Sequence, residues 1–210
     1  MNTAYWLTED EQTRITDLVR QHADAAKSVK LQPDYESICN DSDFLINAYR
    51  TMDYIRHLPK TKRSKDEVFR KRDIHKILEE GIFPACSDFA LVFRGLMIAQ
   101  GIHIAYLETF HEDYLFGKAF HTHSFNRAFD GEKPTIFDPT YIKHYLGELD
   151  IFPYVIVAEG LDCWNLGISS YKDLHRFRKE RLGEILTKYE GLLETYVNQR
   201  RQKIQELRKR

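Results

Sequence analysis

The most constraining stretch of the chain is Phe89-Ala90-Leu91-Val92-Phe93-Arg94-Gly95-Leu96-Met97-Ile98-Ala99, with Pro84 before it and Gly101 after it. An apolar run of this length, bounded by those two residues, reads as a buried helix that other layers must cover. Pro84-Ala85-Cys86-Ser87-Asp88 leads into it and puts Cys86 in its first turn. A thiol there sits at the positive end of the helix dipole, which favours the nucleophilic thiolate.

Upstream, the pattern is helical. Thr8 with Glu11 matches a Thr-x-x-Glu capping box, and Ile15, Leu18, Val19, His22, Ala23 and Ala26 follow at helical spacing, predicting a helix over about 9–29. Asn40-Asp41-Ser42 offers the cap of a second helix, striped by Phe44, Leu45, Ala48, Tyr49, Met52 and Ile55 and ending before Pro59. Lys60-Thr61-Lys62-Arg63 reads as a solvated connector. Ser64 with Glu67 is a further capping box, predicting a helix to about Glu80 with Arg70, Lys71 and Arg72 on its polar face. That face reads as solvated rather than as a nucleic-acid patch.

Downstream of Gly101 the character changes. Residues 102–110 and 119–129 are rich in β-branched and aromatic side chains and predict two strands. Asp130-Gly131 marks a turn, Thr135 to Asp138 a short strand stopped by Pro139, residues 140–149 a helix, and Tyr154 to Ala158 a last strand. Helices followed by antiparallel strands make an α+β layout. Ser170 with Asp173 starts a final helix reaching about Leu207, some 55 Å at about 1.5 Å per residue. Residues 1–170 are expected to form one domain and residues 171–210 a helix packed on it or extending from it.

Net charge is -1, but residues 172–210 hold 12 Lys/Arg against 6 Asp/Glu, leaving 19 against 26 in the rest. The basic end could lie on the core, pair with a second copy through Leu182, Ile185, Tyr189, Leu192 and Tyr196, or form an arm for nucleic acid. The first reading is favoured and the last least. Cys39, Cys86 and Cys163 form no CxxC pair, which argues against a structural zinc site. With no basic-then-apolar leader at residues 1–6, reduced thiols in a cytoplasmic setting are expected. No apolar run approaches the roughly 20 residues that span a bilayer, so no membrane partner is expected.

The chemistry-bearing residues come in the order cysteine, histidine, aspartate. His121 and His123 share one strand face, and Asp138 closes the next strand. A cysteine nucleophile needs a base and a group to orient that base. Two histidines at i and i+2 could also ligate a metal, but no third ligand stands at diagnostic spacing. The bland reading of Cys86 alone is a small buried hydrophobe, and of Asp138 a turn residue before proline.

Three blocks carry a resemblance. Ala85-Cys86-Ser87-Asp88-Phe89-Ala90 with Arg94 to Ile102, His123-Ser124-Phe125-Asn126-Arg127 with Asp130-Gly131, and Phe137-Asp138-Pro139-Thr140 together resemble the transglutaminase-like domain of the papain-like Cys-His-Asp superfamily. The match covers residues 81–141. Ala85 stands where the family commonly has glycine, Phe125 where it has tryptophan and Arg127 where it has an acid.

The resemblance implies a nucleophile helix packed on an antiparallel sheet, with Cys86, His123 and Asp138 as the catalytic triad and His121 beside the cleft. It implies a cysteine-dependent amide hydrolase or acyl transferase, of protease, amidase, deamidase or transamidase type, working through a thioester on a peptide or small amide. No cofactor or metal is expected, and no calcium-loop spacing is present. The oxyanion donors are expected to be the Cys86 N–H and an upstream side chain among Asn47, Tyr49 and Tyr54. The competing readings are an inactive interaction module of the same fold and a nucleic-acid binder using the basic C-terminal helix. Tyr106, Phe110, Tyr114 and Phe116 fit either core or cleft wall.

Overall fold

In the computed structural model, the described residues are 8–40, 42–61, 64–118, 121–130, 133–147, 150–151, 153–188 and 192–207. Expectations placed on residues 1–6, Asp41, Lys62, Arg63, Ala119, Gly131 and Tyr189 lie outside them. Five helices come first: α1 (Asp17–Lys27), α2 (Pro33–Cys39), α3 (Asp43–His57), α4 (Lys65–Val68) and α5 (Ile74–Glu80). Then α6 (Cys86–Ala99) leads into β1 (Ile104–His111), the single turn α7 (Glu112–Leu115), β2 (Thr122–Asp130), β3 (Lys133–Asp138), β4 (Lys143–Tyr145) and β5 (Tyr154–Gly160). Helices α8 (Tyr171–Lys188) and α9 (Leu193–Leu207) follow. The strands form one antiparallel sheet in the order β4-β3-β2-β1-β5. The architecture is α+β.

Helix α6 is the centre of packing, as its sequence requires. Its side chains from Ala90 to Ile98 are buried, and Leu91, Phe93, Leu96 and Met97 join Met52, Ile55, Ile74, Ile77, Tyr106 and Phe137 in the main core. Gly95 costs a helix interior about 1 kcal/mol relative to alanine. It is there because a Cβ would lie 2.3 Å from Ile74 Cδ1 on α5. At the far end Gly101 takes a φ of 81°, and its N–H reaches Ile98 O at 2.8 Å.

Three local expectations give way to tertiary bonds. Residues 8–16 are not helical, and α1 is capped by Thr16, whose Oγ1 accepts the Val19 N–H. The buried Arg94 donates to Thr13 Oγ1 at 2.8 Å and Thr8 O at 3.0 Å, while Gln12 Nε2 donates to Arg72 O at 3.0 Å. These bonds hold the segment against α6 in place of the Thr8–Glu11 box. The Ser64–Glu67 helix stops at Val68, because Asp73 caps a new one by accepting the Lys76 N–H at 2.8 Å. The turn between places Arg70 and Arg72 inward, each 4% exposed, so the solvated basic face is overturned. Residues 140–147, the described part of the helix expected over 140–149, are also not a helix: Lys143 to Tyr145 pair with β3 as an edge strand.

The last helix is two elements among the described residues, not one. Leu182 and Ile185 of α8 and Tyr196 and Val197 of α9 pack with Phe110, Tyr114, Leu115 and Val155. Most of the described apolar seam is thus spent on this chain's own sheet, with Leu186 and Leu192 left exposed. Arg201 grips Glu112 at 2.7 Å, and Arg176 and Arg181 pair with Asp173 and Glu184 within α8. No helix of the described residues is long and apolar enough to cross a membrane.

Candidate active site

Cys86 is the first residue of α6, and Ala85 before it is extended, with φ -136°. The Ala85 N–H donates to Asp88 Oδ2 at 3.0 Å, which locks the turn that presents the thiol. Asp88 is held from the other side by Arg72 at 3.1 Å. Burial nevertheless pushes the Asp88 carboxyl up to about 6.

His123 is the second residue of β2, opposite Thr109 of β1, and Thr109 Oγ1 donates to the His123 carbonyl at 2.8 Å. Asp138 ends β3. Its Oδ1 accepts the N–H groups of Thr140 at 3.1 Å and Tyr141 at 3.4 Å. The other oxygen, Oδ2, accepts the His123 Nε2–H at 2.9 Å. Nε2 being so engaged, Nδ1 is the nitrogen left for the thiol. The His123 imidazole and the Cys86 thiol lie close enough for each to shift the titration of the other. The structure therefore brings Cys86, His123 and Asp138 together.

Their charges answer to that geometry. Burial by itself would raise the Cys86 thiol and lower His123. For Cys86, the hydrogen bond to His123 and the imidazole's charge reverse this and hold the thiol below its ordinary value. For His123, the bonds to Asp138 and Cys86 push the imidazole up to about 10. The favoured state is a thiolate beside an imidazolium. Asp138 fixes the ring tautomer and balances the imidazolium.

His121 stands apart. It is exposed, and its ring meets His111 edge-on at 5.8 Å. The described residues hold no cluster of three His, Cys, Asp or Glu side chains able to bind a metal. Asn47, Tyr49 and Tyr54 show no bond to Cys86 either. Tyr49 OH pairs with His144 Nδ1 at 2.9 Å and Tyr54 OH with His22 Nδ1 at 2.7 Å, so both phenols are occupied elsewhere. Tyr106, Phe110 and Tyr114 belong to the core. The rings around the imidazole are instead Phe125 at 4.6 Å, Tyr154 at 5.6 Å and the largely exposed Tyr141 at 5.8 Å.

Beneath the thiol lies a polar network that sequence reasoning missed. Ser124 Oγ is 3.9 Å from Cys86 Sγ and 2.8 Å from Tyr106 OH. The Tyr106 hydroxyl donates to Glu108 Oε1 at 2.6 Å, and Glu108 forms a buried ion pair with Arg70. Arg70 reaches it from a left-handed backbone, φ 54°, whose carbonyl accepts the Trp164 Nε1–H at 2.7 Å. Arg70 favours the Cys86 thiolate and Glu108 opposes it. Glu108 did leave a trace in the sequence, as a carboxylate inside an otherwise apolar strand. Arg70 left none, being one of three consecutive basic residues.

No protein-family model matches the sequence, and no curated protein matches it. A solved structure does. It is a "putative cysteine protease" from Cytophaga hutchinsonii, similar with a TM-score of 0.52 and 16% identity over 80% of this chain. This chain spans 50% of that one. At this identity the likeness concerns the fold, which is shared with a protein described as a cysteine protease.

Proposed function

We propose that the chain is a cysteine-dependent amide hydrolase or acyl transferase of the transglutaminase-like, papain-like class. One observation carries the reading: His123 is bonded to Asp138 through Nε2 and is coupled to Cys86. The likeness in fold to a protein described as a cysteine protease supports it.

The Cys86 thiolate attacks the carbonyl carbon of an amide or ester, forming a C–S bond and a tetrahedral oxyanion. The Cys86 N–H, in the first turn of α6, is the donor this reading assigns to that oxygen. Collapse breaks the C–N bond, and the His123 imidazolium gives its proton to the departing amine. The neutral imidazole then takes a proton from water or from an acceptor amine, which attacks the thioester and releases the acyl group. Asp138 keeps the ring oriented throughout and does not itself take the proton.

The test compares ammonia release and amine incorporation on glutamine-containing peptides for the wild type and Cys86→Ala. The expected result is loss of both activities in the variant. Full activity without the thiol would sink the cysteine mechanism.

A further inference from the structure

Helix α8 brings to this site a charge that the reaction above does not use. Leu174 and Phe177 of α8 pack with Phe69 and with Ala85, the residue before Cys86. Arg178 follows Phe177, and its Nη2 donates to Thr122 Oγ1, one residue before His123. The guanidinium is thereby anchored beside the residue that carries the imidazole, its helix packs on the residue before the thiol, and the Cys86 charge is among those it feels.

Arg178 is half-buried, and its Nε is fully enclosed without a hydrogen-bond partner. Among the described residues, Thr122 is the one group that bonds this guanidinium, and no carboxylate pairs with it. The charges of Glu108 and of the Cys86 thiolate attract it, but Glu108 is already held by Arg70 and the thiolate is balanced by His123. Burial pulls the Arg178 pKa below the usual arginine value, and the neighbouring Arg70 repels it further. Desolvating a cation without a counter-ion is unfavourable. Beside a reactive thiol, an arriving anion would supply the missing partner. A guanidinium fork matches a planar carboxylate in two parallel hydrogen bonds.

We propose that Arg178, positioned by Thr122, binds a carboxylate of the substrate, so that the preferred acyl donor carries a carboxylate next to the scissile carbonyl. An acidic side chain or a free peptide C-terminus would provide it. The assignment rests on Cys86 being the nucleophile.

The test alkylates Cys86 with iodoacetate and with iodoacetamide at neutral pH, following the modified peptide by mass spectrometry. The ratio of the two rates cancels the thiolate fraction, so a general effect of Arg178 on the thiol drops out. The iodoacetate preference is expected to fall at least about fivefold in Arg178→Gln. A wild-type circular dichroism spectrum in that variant shows that it is folded. Arg178→Lys should lose most of the preference, since it keeps a charge but not the fork.

An equal ratio in wild type and Arg178→Gln overturns the proposal, as does a full wild-type ratio in Arg178→Lys, which would mark a diffuse charge effect. A Cys86 inert to both reagents overturns the cysteine reading and this one with it; a reactive Cys86 with no preference overturns this one alone. Protection of Cys86 from iodoacetamide by glutarate or by N-acetylalanine supports the proposal and separates the acidic side chain from the free C-terminus. Better protection by inorganic phosphate than by both would overturn the carboxylate assignment.

Discussion

Cys86 and Cys163 both feel the buried Arg70–Glu108 pair, yet their thiols are driven in opposite directions. Burial is the largest influence on each. At Cys163 nothing overcomes it: the thiol lies 3.2 Å from Tyr106 OH and is pushed up to about 12. At Cys86 the imidazole of His123 reverses it. Arg70 favours the thiolate at both sulfurs, so a neighbouring guanidinium is not what separates them. The contrast teaches that the His123 imidazole, not a neighbouring guanidinium, is what offsets the effect of burial on a thiol here.

The comparison breaks most directly at the sulfurs themselves. Turnover of an amide substrate should fall at least about 10³-fold in Cys86→Ala and stay within about threefold in Cys163→Ser. Similar losses in both would mean that the two thiols are not functionally distinct. Next comes the support of the imidazole. Asp138→Asn should lower kcat by about 10²- to 10⁴-fold while the fold persists, because the amide cannot hold the required tautomer. Circular dichroism beside the kinetics checks both parts.

A third variant acts on the neighbour the two cysteines share. Glu108→Gln leaves Arg70 buried and unpaired, at a cost of about 3–5 kcal/mol read from a denaturant melt. It also removes a charge that opposes the thiolate, so the alkylation midpoint of Cys86 should move to lower pH.

The smallest effect is the pH profile of the wild type. Cys86 titrates below its ordinary value and His123 near 10, so the thiolate–imidazolium pair exists between the two. Acylation should rise as pH passes the lowered thiol value and fall as His123 loses its proton towards about 10. Alkylation of Cys86 should be half-maximal below the ordinary thiol pKa of about 8.5, whereas Cys163 stays unreactive there. A Cys86 midpoint at or above that value would erase the contrast.

Much of this site was legible in the chain, for reasons that differ residue by residue. Cys86 was marked by the Pro84–Gly101 frame, since helix ends and apolar runs are local signals. His121, His123 and Asp138 were marked by their order and by the strand pattern around them, and the family resemblance singled out His123. Asp138 turned out to serve both readings open to it, since one oxygen caps the turn and the other holds His123. The edge strand Lys143–Tyr145 was not legible, because three residues carry too short a pattern and their strand identity comes from pairing with β3. The Thr8 capping box failed because Arg94 offered its segment better partners.

By itself the sequence determined the buried helix that opens at Cys86, the α+β order of elements and the residues available to make a triad. Those follow from periodicity, end signals and composition, which act over a few residues. Only the tertiary structure decided that His123 rather than His121 meets Asp138. It alone decided that Arg70 and Arg72 turn inward and that Arg178 reaches the site from α8. The physical reason is that a charge goes inside only where a distant segment neutralises or solvates it. Glu108, Asp88 and Thr122 come from other elements, and no local pattern announces their arrival.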